Sequence, residues 1–194
     1  MSEIRNIPRL RFHQFNEKWI RSTIGNCFQI VGGGTPSTTD TDFWDGNINW
    51  FTPTEIKERK VGSSLRKITE KGLKSSSAKI LPVNTLLFTS RATIGQMSFS
   101  TQECTTNQGF QSILPSLEND NRYFYYWSLL NKKTFLRKST GSTFLEISKK
   151  TIEKIQIYIP LLPEQQKIAD FLTAVDKRIE LLEKKKTLLE TYKK

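Results

Sequence analysis

The sequence is poor in the residue types that most metal-binding and many catalytic proteins use. Among 194 residues there are two cysteines, Cys27 and Cys104, and one histidine, His13. These numbers exclude a disulfide framework, a zinc site built from Cys and His, and any mechanism that needs two histidines. No apolar run approaches the roughly 18 residues of a membrane span, and the start MSEIRNIPRL lacks the apolar core of a signal peptide. We therefore expect a cytoplasmic protein that has no membrane partner and no metal site.

Acidic residues are also scarce. Against 30 Lys and Arg there are 19 Asp and Glu, which leaves a formal net charge of +11. A chain of this charge favours a polyanionic partner, and nucleic acid is the first candidate. The apolar fraction of 36% is typical of a globular protein, and the length allows one domain with an extended element.

The C-terminal segment carries the clearest secondary-structure pattern. From Ile168 apolar residues alternate at spacings of four and three, and Lys186 fills the one missing position of the heptad seam. Pro163 and Glu164 suit a first helical turn, and no helix-breaking residue follows before Lys194. The pattern predicts a helix roughly 45 Å long. A helix that lies on its own domain is the alternative, but the length favours pairing with another helix. The expected pairing residues are Ile168, Leu172, Val175, Ile179, Leu182 and Leu189.

The rest of the chain shows shorter and more varied patterns. Residues 124–135 have helical spacing, and Asp45-Gly46-Asn47 is typical of a tight turn before a strand. No regular alternation of strands and helices appears, which favours an α+β fold. We predict a mixed α+β domain over residues 1–160, followed by a long coiled-coil-forming α-helix over residues 161–194. Strand patterns occur at 48–52, 110–114 and 155–159, and a hairpin pattern at 86–88 with 94–99.

Two basic clusters hold much of the excess positive charge. The first basic cluster has eight basic residues against two glutamates, and the second basic cluster has six against one. Both are interleaved with Ser and Thr, and phosphate binding uses this mixture of cations and hydroxyl donors. A charge run is usually a solvated surface, but two such clusters favour nucleic acid. The first comprises Lys57, Arg59, Lys60, Arg66, Lys67, Lys71, Lys74 and Lys79, and the second Lys132, Lys133, Arg137, Lys138, Lys149 and Lys150.

Candidate base-reading residues lie next to the predicted strands. Base recognition uses amide and guanidinium groups on loops or at element ends. Each candidate alone is typical of an ordinary turn, and the neighbouring glycines and Pro36 are expected to form turns. The candidates are Thr35, Ser37, Arg91, Gln96, Asn107 and Gln108.

One catalytic alternative has to be weighed. Asp45, Glu55 and Lys57 imitate the spacing of a metal-dependent nuclease, in which two carboxylates hold Mg²⁺ and a lysine acts on the attacking water. Such a pattern is common by chance, and a solvated loop is the simpler interpretation. The Gly-rich segment 32–34 lacks the ending of a phosphate-binding loop, and no amino-methyltransferase motif occurs. A helical assembly protein whose charge only confers solubility is the other alternative.

Six sequence motifs follow one another along nearly the whole chain. They are PRLRFHQFNEKW (8–19), IVGGGTPST (30–38), FWDGNINWFTPTEI (43–56), LPVNTLLFTSRATIGQ (81–96), TNQGFQSI (106–113) and GSTFLEISKKTIEKIQIYIPLLPEQQKIADFL (141–172). In this order and spacing they resemble the specificity subunit of type I restriction-modification systems.

The resemblance implies a reader of double-stranded DNA without chemistry of its own. A target recognition domain in that family reads one half of a split DNA site, and long helices set the spacing and dock two methyltransferase subunits. Restriction subunits then join the complex. S-adenosylmethionine, Mg²⁺ and ATP are expected on those partner subunits, so no cofactor and no catalytic residue is assigned to this chain.

The chain departs from the family in size. The usual subunit has two recognition domains and two helical regions, and this sequence has one of each. Either it is part of a longer chain, or two copies pair through their helices to rebuild the whole. Such a homodimer is expected to read an interrupted palindrome, because protein symmetry is mirrored in the site.

Overall fold

The computed structural model describes residues 8, 10–141 and 145–192. The predicted helix end at Lys194, the first seven residues of the predicted domain and part of the motif at 141–172 lie outside the described residues. The predicted α+β class and the long C-terminal helix are confirmed. None of the described helices is long and apolar enough to cross a membrane.

Short strands and helices alternate irregularly before one long helix. The strands are β1 (Ile20–Thr23), β2 (Ile30–Gly32), β3 (Trp44–Phe51), β4 (Lys60–Val61), β5 (Arg66–Ile68), β6 (Leu86–Phe88), β7 (Met97–Ser100), β8 (Thr105–Thr106), β9 (Gln111–Ile113) and β10 (Gln156–Ile159). The helices are α1 (Ile24–Cys27), α2 (Glu70–Lys74), α3 (Asn121–Leu130), α4 (Lys132–Arg137), α5 (Lys149–Glu153) and α6 (Leu162–Tyr192).

Three small sheets organise the described part of the domain. The largest has the strand order β2-β9-β6-β7-β4, a second has the order β5-β3-β8, and β1 pairs with β10. The predicted hairpin is confirmed, because Leu86 to Phe88 pair antiparallel with Phe99 to Met97. Strand β9 is also antiparallel to both β2 and β6. The ends of β2 and β6 therefore lie at the same edge of the sheet as the beginnings of β7 and β9.

Two predictions of local structure were wrong. Asp45-Gly46-Asn47 does not form a turn before the strand but lies inside β3, where Trp44 and Ile48 both pair with Ile68. Asp45 has a φ of 58°, so the turn-forming residues produce a bulge that bends the strand. The single helix predicted at 124–135 is divided into α3 and α4 at Asn131, whose ψ of 15° departs from helical geometry.

The main hydrophobic core lies between the five-stranded sheet and the helices. Phe88, Phe124 and Phe135 are buried there, and Ala169 carries α6 into the same core. A second core around Phe51 includes Leu87 and Cys104. Since Leu87 belongs to the second core and its neighbour in β6, Phe88, to the first, the sheet separates the two.

The two cysteines should differ sharply in reactivity. Cys104 is fully buried, and burial raises the pKa of its thiol to about 12. Because the thiolate is the nucleophile, we expect iodoacetamide at pH 8 to leave Cys104 unmodified in the folded protein. Cys27 is only half-buried and should react first. Mass spectrometry of labelled peptides checks this, with denatured protein as the control in which both thiols react. Labelling of native Cys104 would contradict the burial of the second core.

Candidate nucleic-acid interface and projecting helix

Three loops meet at one edge of the five-stranded sheet. Because β9 is antiparallel to β2 and β6, and β7 is antiparallel to β6, loops 33–39, 89–96 and 107–110 all leave the sheet on the same side. We call this surface the loop edge. It gathers six residues that the sequence patterns singled out separately, namely Thr35, Ser37, Arg91, Gln96, Asn107 and Gln108.

Hydrogen bonds fix these loops to one another. The Gly34 amide donates to the Thr106 carbonyl at 2.9 Å, and the Thr35 hydroxyl donates to the side-chain oxygen of Gln108. A Cβ at Gly33 would collide with the backbone oxygen of Asn107, so this close approach requires glycine. The loop edge is therefore a fixed surface of polar groups.

A pair of tryptophans supports the first of these loops. The indole N–H of Trp44 donates to the Ser37 carbonyl at 2.9 Å, and that of Trp50 donates to the Gly34 carbonyl at 2.8 Å. The two rings pack edge to face with their centroids 5.0 Å apart. The guanidinium of Arg66 lies 3.6 Å from the centroid of the Trp44 ring. Neither tryptophan has a role that the sequence alone predicts.

The loop 89–96 is the one loop of the three that contains a charged residue, Arg91. The Nε of Arg91 lies 2.9 Å from a carboxylate oxygen of Glu146, so its positive charge is already paired. Gln96 is exposed, and the aliphatic part of Lys132 packs next to Gly95. The second basic cluster therefore begins beside this loop, and its members Arg137 and Lys138 are exposed where α4 ends.

The structure divides the first basic cluster among several surfaces. Lys79 lines a cleft together with Lys149 and Gly32, so the two basic clusters meet there. Lys71 pairs with Asp42 at 2.9 Å on the exposed surface. The four other lysines fall into two groups. Lys67 and Lys74 lie on β5 and α2, and Lys57 and Lys60 line the groove between β4 and α6.

Arg59 stands apart from the loop edge. Its guanidinium pairs with Asp176 of α6 at 2.7 Å and lies 5.1 Å from the ring centroids of both Tyr125 and Tyr126. The Tyr126 hydroxyl donates to the same carboxylate at 2.6 Å, and burial and this bond raise the pKa of Tyr126. Its hydroxyl thus stays protonated as a donor. Arg59 holds the helix in place, a position different from the phosphate contact that we expected.

The first turns of α6 are anchored by buried polar groups. Glu164 accepts two hydrogen bonds from Arg11, at 2.7 and 2.6 Å, and one from the Trp19 indole at 3.2 Å. Its neighbour Gln165 accepts from the Asp120 amide and donates to Asn119 and Pro160, each at 2.9 Å. The sequence predicts for Glu164 only a place at the helix terminus, because its partner lies far away in the chain.

Beyond Asp176 the helix projects from the domain. No side-chain hydrogen bond or ion pair joins residues 177–192 to another part of the described chain. The predicted pairing residues Val175, Ile179, Leu182 and Leu189 are 38%, 48%, 51% and 53% exposed. Of the remaining two, Ile168 packs against the main core and Leu172 is half-buried. The apolar stripe open to a partner therefore begins near Val175.

The nuclease alternative finds no assembled site. Asp45 lies near the start of β3 and Glu55 beyond its end, separated by roughly 20 Å of strand at about 3.3 Å per residue. The Glu55 carboxylate is engaged by the backbone amides of Thr52 and Leu65, both at 2.7 Å. Within the described residues, no group of three or more His, Cys, Asp and Glu lies close enough to hold a metal ion.

These features define an α+β domain that carries fixed polar loops at one end of a sheet and a projecting helix at its C-terminal side. The family model described as "Type I restriction modification DNA specificity domain" matches residues 16–191. The chain belongs to this family, as its motifs predicted.

Individual relatives agree with this assignment. The chain is 38% identical over 179 residues to the type I restriction enzyme MjaIX specificity subunit of Methanocaldococcus jannaschii. The aligned residues make up 89% of this chain and 41% of that protein. It is 29% identical over 174 residues to the EcoR124I/EcoR124II specificity subunit of Escherichia coli. The aligned residues make up 86% of this chain and 43% of that protein. The chain therefore spans about two fifths of the length of these relatives.

A solved structure shares the fold. The crystal structure of the HsdS subunit from Thermoanaerobacter tengcongensis superposes with a TM-score of 0.67 at 16% identity, over 89% of this chain and 41% of that one. The nuclease and the helical assembly protein do not fit this family, and both alternatives are set aside.

Proposed function

We propose that the chain is a non-catalytic specificity subunit of a type I restriction-modification complex, and that its domain reads one half of a bipartite DNA site. The observation that carries this proposal is the loop edge, where three loops present amide and hydroxyl groups on a fixed surface. Side chains of this kind recognise base edges in a DNA groove. The candidate base contacts are Thr35, Ser37, Gln96, Asn107 and Gln108, with Arg91 beside them.

Basic residues next to the loop edge would contact the phosphates. Lys74 and Lys79 flank the segment 75–78 beside loop 33–39, since Ser77 and Ala78 pack against Gly34. Cations at this distance from the base-reading loops would position the duplex without reading its sequence. We leave Arg59 out of the interface, because Asp176 neutralises it.

Reversing charge beside the loop edge should weaken DNA binding. We expect the double change Lys74→Glu and Lys79→Glu to lower affinity about equally for cognate and random duplexes. The slope of log affinity against log salt should fall by about two, one for each phosphate that the protein no longer neutralises. Fluorescence anisotropy of the chain with its modification subunits, across a salt series, measures both quantities.

The matched control is Lys184→Glu with Lys185→Glu on the projecting helix. This variant carries the same change in net charge and should keep its DNA affinity. If both variants lose affinity equally, only net charge matters. If neither does, DNA does not bind beside the loop edge.

The projecting helix would dock the remaining subunits. Its exposed apolar stripe supports pairing with α6 of a second copy, which would restore two recognition domains and a two-fold symmetric site. Methyltransferase subunits would bind the paired helices, and restriction subunits would join them. S-adenosylmethionine, Mg²⁺ and ATP would act on those partners, where the family places its chemistry.

A further inference from the structure

The arginines of the domain differ in what holds them. The guanidinium groups of Arg11, Arg59, Arg91 and Arg122 each pair with a carboxylate. Arg66 does not, because no side-chain hydrogen bond or ion pair joins its guanidinium to another described residue. The Arg66 guanidinium is nevertheless held in place by aromatic rings. It lies 3.6 Å from the centroid of the Trp44 ring and 5.9 Å from the centroid of the Trp50 ring.

This stacking fixes the orientation of a planar group of five donors. Trp44 and Trp50 are both buried, and both are tied by their indole N–H groups to loop 33–39. The backbone of Arg66 is itself held in β5, where it pairs with Trp50. A guanidinium stacked on an aromatic ring keeps its in-plane N–H groups available. The side chain is therefore ordered before any ligand arrives, which lowers the entropic cost of binding one.

The surroundings indicate which ligand fits. The Arg66 guanidinium lies on the Trp44 ring, whose indole N–H donates to the Ser37 carbonyl of loop 33–39. The side chains of Thr35 and Ser37 in that loop are uncharged and polar. A planar fork of donors matches two acceptors side by side, and in the major groove guanine alone offers O6 and N7 in this way. A phosphate also offers two oxygens to this fork, so the place of Arg66 beside the uncharged polar side chains of the loop edge is what favours a base.

We propose that Arg66 is a specificity-determining residue that reads one guanine of the half-site through O6 and N7, with Trp44 as its positioning residue. This inference rests on the proposed function. It assigns to Arg66 a base contact, whereas the sequence pattern places it among the general contacts of the first basic cluster.

The test is the change Arg66→Lys, which keeps the charge and removes the fork. Methylation mapping with the intact system first gives the half-sites of the unaltered protein. Binding of duplexes that carry each of the four bases at each half-site position is then compared for both proteins. We expect the preference for guanine at one position to fall by about 5- to 150-fold, with the other positions unchanged. Arg66→Gln should behave in the same way, and Arg178→Lys, the same chemical change at an exposed arginine of α6, should leave every base preference intact.

Each other outcome overturns the proposal. An Arg66→Lys protein that keeps every base preference shows that the guanidinium reads no base. A uniform loss of affinity for all duplexes identifies a phosphate contact. Thermal unfolding of the variants verifies that both remain folded, as expected for an exposed side chain. If the unaltered complex has no sequence preference, the proposed function itself is wrong. If the unaltered complex has a preference that Arg66→Lys leaves intact, only this inference is wrong.

Discussion

Replacing Gln165 by alanine is expected to lower the free energy of unfolding by about 2–4 kcal/mol. The Gln165 side chain is almost fully buried and makes three hydrogen bonds, to the Asp120 amide, the Asn119 side chain and the Pro160 carbonyl. The truncation removes all three hydrogen bonds. The former partners of Gln165 are then left in a buried place that water does not reach, and this costs more free energy than the bonds themselves contribute. Urea denaturation followed by tryptophan fluorescence measures the loss.

A neighbouring glutamine supplies the control. Gln166 is exposed on the same helix, so Gln166→Ala should change stability by less than about 0.5 kcal/mol. Gln165→Glu keeps the size of the side chain but places a carboxylate oxygen against the Pro160 carbonyl, and it should destabilise the protein as well. If Gln165→Ala is as mild as Gln166→Ala, α6 is not anchored to the domain through this residue.

Patterns that depend on near neighbours in the chain could be predicted. The heptad spacing defines α6 closely, since the observed helix Leu162–Tyr192 begins within one residue of the expected start. The hairpin of β6 and β7 follows from alternation in the same way. Prediction failed where the same local residues are compatible with two structures, a turn or a bulge. The turn residues at 45–47 formed a bulge because β5 pairs on both sides of them.

Long-range polar pairs could not be predicted. Glu164 and Arg11 are 153 residues apart, and Asp176 and Arg59 are 117 apart. Nothing in the composition of these segments indicates the partner of either carboxylate, because a charged residue is usually solvated. The fold therefore gives members of one cluster different roles, since Arg59 anchors α6 while Lys79 lines a cleft with Lys149 of the other cluster.

The sequence predicts the residues of the candidate site singly, but not that they lie together. Thr35, Arg91 and Gln108 each belong to a separate turn, and only the antiparallel order of the strands places those turns at one edge. The support from Trp44 was missed, since a tryptophan in a strand pattern is first interpreted as core. Its indole N–H bond to loop 33–39 appears only in three dimensions.

The two faces of α6 differ in what they contact within the described chain. Successive residues are turned by about 100° around a helix, so Val175, Leu182 and Leu189 lie on one side, and Thr173 and Asp176 lie towards the domain. Leu181 and Leu188 widen the exposed apolar side, each being about 60% exposed. So broad an apolar surface is more than a single partner helix covers. This agrees with a helix that pairs with a second copy and still presents apolar surface to another subunit.

The change Val175→Asp with Ile179→Asp is expected to convert a dimer of the chain into monomers. In a paired helix these side chains would be buried against the partner, and an unpaired carboxylate there costs several kcal/mol. With the two changes present in both copies, the dissociation constant should rise by at least about 1000-fold. Sedimentation velocity over a range of protein concentrations measures it. The control is Lys177→Asp with Thr187→Asp, which adds aspartates away from the apolar stripe and should leave the dimer intact. A dimer that survives the first pair of changes would place the interface elsewhere, and an unaltered chain that stays monomeric would assign the stripe to a different helix.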